Sequence, residues 1–102
     1  MKSKLSLMTV VVLGLAVTAF STHAFTGEKY AKDAKIGIAE ARTIALKAFP
    51  GKITDEELEI EKGGSGLRYS FDIRHGHVTR EVGVDAKTGK VLENSTEGPN
   101  PD

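Results

Sequence analysis

From Leu67 to Val84 apolar and polar residues alternate with period two: Leu67, Tyr69, Phe71 and Ile73 against Arg68, Ser70, Asp72 and Arg74, then Val78, Val82 and Val84 against Thr79 and Glu81. This pattern allows one arrangement above all, a pair of strands with one apolar and one polar face. Leu58 and Ile60 alternate in the same way with Glu57, Glu59 and Glu61, adding a strand before the pair. Lys62-Gly63-Gly64-Ser65-Gly66 and His75-Gly76-His77 read as the connecting turns. Asp85-Ala86-Lys87-Thr88-Gly89 reads as a third turn, with Asp85 holding its own loop and Gly89 at positive φ, before a short strand at Val91 and Leu92.

An antiparallel meander with one apolar face needs a cover. Ile38, Ala41, Ile44, Ala45, Ala48 and Phe49 recur at helical spacing, with Glu40, Arg42, Thr43 and Lys47 mainly on the other side. Gly37 stands at the N-cap, Glu40 meets the positive end of the helix dipole, and Pro50-Gly51 ends the helix. The expected fold is α+β: one N-terminal helix packed on a three- to four-stranded antiparallel β-meander.

The residues before this domain read as an address. Lys2 and Lys4 precede a sixteen-residue, mostly apolar run from Leu5 to Phe20, and Thr22-His23-Ala24 places small residues where a signal peptidase reads them. The run is short of the roughly 20 residues that span a bilayer, so residues 1–24 are expected to be a signal peptide, cleaved after Ala24, rather than an uncleaved anchor. The product would be periplasmic or secreted. There is no cysteine, so an oxidising compartment is tolerated but not exploited. Residues 25–35 are polar without an apolar period and read as a flexible arm, and residues 95–102, with Gly98, Pro99 and Pro101, read as a disordered tail.

The mature chain would hold 78 residues with twelve Lys and Arg against fourteen Asp and Glu. That near balance argues against nucleic acid, which favours a basic face. Without a disulfide or metal, a core this small yields a net stability of only about 3 to 5 kcal/mol. Few positions can be given up to a polar active site.

Against this background, Ile36-Gly37-Ile38-Ala39-Glu40-Ala41 resembles the Ile-Ser-x-x-Glu-Ala opening of PepSY domains. Ile44-Ala45-Leu46 and Pro50-Gly51 are similar to that family's helix and its exit, and Val82 to Leu92 to its closing Val-x-Val-Asp-x-x-Thr-Gly-x-Val-Leu. The resemblance spans residues 36–94. Gly37 replaces the usual serine cap, and Arg80 stands in a core-facing phase where an aromatic is common. The expected compromise is an alkyl stem laid along the core edge with the charge in water. The resemblance implies a non-catalytic module that inhibits, chaperones or binds a secreted or envelope protein, a protease among the candidates, with no cofactor.

The residues themselves offer little catalytic chemistry. Nucleophilic catalysis needs a Cys or Ser beside a positioned His, and no serine lies in such a context. Asp55, Glu56, Glu57, Glu59 and Glu61 lack the spaced ligand loop of calcium sites and read as a solvated strand. His75 and His77 are the candidates for metal, and a periplasmic metal- or ligand-binding protein is the alternative function. Two ligands fall short of the four of a structural zinc site, however, and His23 would leave with the signal peptide. For a protein partner the expected surface is the helix-free face of the sheet, at Arg68, Ser70, Asp72 and Arg74.

Overall fold

The computed structural model describes residues 25–97; the expected signal peptide and residues 98–102 lie outside them. Helix α1 is Ile38–Ala48, and strands β1 (Lys52–Ile60), β2 (Leu67–His75), β3 (Val78–Asp85) and β4 (Val91–Thr96) follow. They form one antiparallel sheet in sequential order, the meander expected from the alternation. Among the described residues no helix is long and apolar enough to cross a membrane.

Helix α1 lies on one face, with Ala41 and Ala45 fully buried against the sheet. Small side chains there let the larger residues opposite fill the layer. Tyr69, Phe71, Ile73, Val82, Val84 and Leu58 supply that bulk, each almost wholly buried. Tyr69 and Phe71 are at its centre, as their place in the longest alternating strand predicts. The Tyr69 hydroxyl donates to the carbonyl of Ile36 at 2.9 Å, so its polar tip has a partner.

The strand count is four, at the top of the expected range, and two strand boundaries differ from those the sequence predicts. Strand β1 begins at Lys52, ahead of the Glu57–Glu61 alternation, because a bulge between Ile53 and Asp55 breaks the period. Beyond the bulge Glu56 is opposite Phe71, on the covered face, where its carboxylate takes Arg42 at 2.5 and 3.0 Å. Strand β4 reaches Thr96, so Ser95 and Thr96 belong to the sheet rather than to the expected tail. Its outer residues are polar, and backbone pairing to Arg80 and Glu81 orders them.

The helix is also not the first helical element. Glu28–Asp33 form a 3-10 helix within the segment expected to be a flexible arm. Thr26 forms a parallel bridge at the outer edge of β1, its N–H donating to Glu56 and its carbonyl accepting from Leu58. The N–H groups of Lys35 and Ile36 both donate to the carbonyl of Ala86. Phe25 and Tyr30 pack against the core, Phe25 edge-on to Tyr69 with ring centroids 6.2 Å apart. Two anchors and edge pairing order this segment, and neither produces a hydrophobic period.

Arg80 keeps the core-facing phase without a register break, directly opposite Ile73. Its guanidinium lies 5.2 Å above the centre of the Phe49 ring and donates to the carbonyl and side chain of Asn94 at 3.2 and 3.0 Å. The core-facing phase holds, but the guanidinium rather than the stem covers the aromatic at the helix exit and its Nε is buried without a partner, so the charge is only partly in water.

Candidate functional site

All helical structure packs on one side of the sheet or along the edge of β1, which leaves the other face open among the described residues. Side chains there stand in rows across the strands. Lys52, Arg74 and Thr79 form the row at the His75-Gly76-His77 end, with Glu97 beside Thr79. Next come Asp55, Asp72, Glu81 and Ser95, then Glu57, Ser70, Gly83 and Glu93, and last Glu59, Arg68 and Asp85.

The second row sets three carboxylates side by side on neighbouring strands. Like charges directly opposite one another destabilise a sheet, and here no cation interrupts them. Carboxylate oxygens of Asp72, Glu81 and Glu97 lie within 4.8 Å of one another. Partial burial, then the charges of Glu93, Asp72, Glu97 and Glu59, push the Glu81 carboxyl up to about 7. Burial first, then Glu97 and Asp55, also raises Asp72, while burial and Glu59 raise Glu57.

Alternation correctly gives the face of Arg68, Ser70, Asp72 and Arg74, but two of these groups are already engaged. Arg68 lays its stem over Gly83 and reaches Glu93 at 3.3 Å, and it also donates to the carbonyl of Lys62 at 2.9 Å. A Cβ on Gly83 would stand 2.9 Å from the Arg68 Cδ, so the glycine makes room for that crossing. Ser70 is buried and donates to Glu59 at 2.7 Å. Arg74 remains exposed, its Nε donating to the carbonyl of Gly76 at 3.3 Å.

Glu93 and Glu97 are the open-face residues that the sequence reading missed. Their signal is the alternation Glu93, Ser95, Glu97, hidden because the expected last strand stops at Val91 and Leu92 and the expected tail begins at Ser95. His75 and His77 are exposed at the β2–β3 turn, His75 edge-on to Phe49 with centroids 6.2 Å apart. Neither belongs to the convergent set of possible metal ligands among the described residues, which is the carboxylate trio. Three such oxygens are only part of the six to eight that a calcium ion takes.

Residues 35–94 match the family described as peptidase propeptide and YPEB domain, PepSY. The chain belongs to the PepSY family. Curated proteins and solved structures gave no match. PepSY domains are generally non-catalytic, propeptide- or inhibitor-like modules. In this PepSY domain the family-like residues build the frame rather than the open face. Asp85 accepts the N–H groups of Ser65, Lys87 and Thr88 at 2.6, 2.8 and 3.0 Å and the Ser65 hydroxyl at 2.9 Å. Burial opposes the Asp85 charge, and these hydrogen bonds outweigh it, pulling the carboxyl down to about 2. Gly89 closes the same turn at φ 81°.

Proposed function

We propose that this PepSY domain is an exported, non-catalytic binding module that regulates a secreted or envelope protein, a peptidase first among the candidates. The observation that carries the reading is the family match over residues 35–94, in a family whose description begins with peptidase propeptides. The frame supports it. A helix-backed sheet presents a broad polar face on rigid strands, which suits recognition of a protein surface better than enclosure of a small substrate.

Export is part of the same proposal, resting on Lys2, Lys4, the Leu5–Phe20 run and Thr22-His23-Ala24. Cleavage after Ala24 would leave Phe25, whose ring packs on Tyr69, as the first residue of the product. Intact mass of the exported protein reads the cleavage site. Affinity capture from an envelope fraction, followed by assay of captured peptidases with and without added PepSY domain, tests the function. A captured peptidase whose activity changes on addition supports the reading. Failure of the folded protein to retain any envelope or secreted protein would overturn it.

A further inference from the structure

The open face combines a charge row with the absence, among the described residues, of a cation within that row. Asp55, Asp72 and Glu81 are consecutive across β1, β2 and β3, and Glu97 brings a further carboxylate to within 4.8 Å of the last two. The basic residues of the face do not serve this row. Arg68 is turned to Glu93 and to the carbonyl of Lys62, and Lys52 and Arg74 stand together in the neighbouring row.

We propose that this face docks a cationic, extended segment of the protein partner, whose Lys or Arg side chains seat between Asp72, Glu81 and Glu97. The proposal rests on the binding-module reading and names the partner's chemistry. It reverses the simpler expectation that Arg68 and Arg74 would seek carboxylates on the partner. Geometry and charge sign agree. Neighbouring strands are about 4.8 Å apart and alternate residues along a strand about 6.6 Å apart, so Asp72 and Glu81, opposite one another on β2 and β3, are close enough to share one cation, while Asp55, Glu57 and Glu59 recur along β1 at the side-chain period of a strand-like segment. A guanidinium bridging two adjacent carboxylates gains charge-assisted hydrogen bonds at each end. The segment also relieves a repulsion that the free domain carries on its own.

That repulsion gives the docking a proton signature. Glu81 is faced by Asp72 from β2, Glu59 from β1, and Glu93 and Glu97 from the β4 side; by register the nearest guanidinium is that of exposed Arg74, one row away, whose Nε donates to the carbonyl of Gly76, while Arg68, two rows away, is committed to Glu93. With its carboxyl at about 7, Glu81 holds a proton in part of the population near neutrality. An arriving cation favours the ionised form and expels that proton. Docking therefore strengthens as pH rises from about 6 to 8 and weakens with salt.

The test is titration of the isotopically labelled exported protein with a short blocked peptide alternating lysine and threonine, its glutamate counterpart as a control, and calcium chloride alone. Saturable amide shifts on β2, β3 and β4 are expected with the lysine peptide only, tighter at pH 8 than at pH 6 by several-fold. Combining Asp72→Asn, Glu81→Gln and Glu97→Gln should weaken binding by roughly tenfold or more without lowering the melting temperature. Glu40→Gln, on the far side of the domain, should leave it unchanged. Absence of saturable binding, equal binding by the folded triple variant, or binding of calcium but not of the peptide would each overturn the proposal. The two readings fail separately. A triple variant that still captures the envelope partner would sink this surface and leave the binding module standing, whereas a parent protein that captures nothing would sink the module itself.

Discussion

Asp85 accepts the backbone N–H of Ser65 at 2.6 Å, tying the turn between β1 and β2 to the turn between β3 and β4. The two hairpins are thereby closed by one carboxylate. Asp85→Asn keeps the size but replaces a charged acceptor, and it is expected to cost about 1 to 3 kcal/mol in urea unfolding. The folded carboxyl titrates at about 2, below its ordinary 3.8. Its stabilisation, about 1 to 2 kcal/mol once solvent screening is allowed for, is present above pH about 4 and lost as the pH falls towards 2. A parent and variant with the same stability at neutral pH would show that the tie contributes nothing.

Phe71 is fully buried at the middle of β2, opposite Glu56 on one side and Val82 on the other. Phe71→Ala should cost about 3 to 5 kcal/mol, close to the whole net stability of so small a domain. The expected result is a chain largely unfolded at 37 °C by circular dichroism. A cooperative melt within a few degrees of the parent would contradict the packing.

Arg42 and Glu56 are each about four-fifths covered, with side-chain exposures of 18% and 19%. Their hydrogen bond, first among the causes, raises the Arg42 pKa against the cost of burial. A pair between surface and interior is expected to show a coupling of about 1 kcal/mol in a double-mutant cycle with Arg42→Met and Glu56→Gln. Coupling indistinguishable from zero would reduce the contact to an incidental one.

The legible parts of this fold are those built on unbroken periods. Leu67 to Val84 gave faces and pairing correctly, and the Ile38-to-Phe49 spacing gave the helix, because burial on one side leaves its mark at every second or fourth residue. The bulge at Thr54 erased that mark. It set Ile53 on the core side out of step with Glu56 and Leu58, and so hid the first half of β1. The segment from Phe25 to Asp33 was illegible for another reason: its order comes from edge pairing at Thr26 and from anchors at Phe25 and Tyr30. At the open face, sequence showed which residues project but not which cations were already engaged. Arg68 crossing Gly83 to Glu93 is a three-strand relation that no local pattern carries.

Glu81 should make the domain less stable as pH rises, opposite to Asp85. Its folded carboxyl titrates at about 7 against an ordinary 4.5, because burial and the neighbouring carboxylates disfavour its charge. Below pH about 4.5 the group is protonated in both folded and unfolded chains and costs nothing. Between about 4.5 and 7 the unfolded chain gives up the proton that the folded one keeps, so stability falls, and above about 8 the full cost remains. Together with Asp85 this places the stability maximum contributed by these two groups near pH 4 to 5. Glu81→Gln removes the charge while keeping the shape. Since Glu81 is partly exposed, solvent screening limits the gain, and the variant should exceed the parent by up to about 1 kcal/mol at pH 8 and match it at pH 4.5. Denaturant unfolding at the two pH values, repeated at high salt where the difference should shrink, measures this directly. A variant equal to or weaker than the parent at pH 8 would mean that the carboxylates of the open face do not strain the fold.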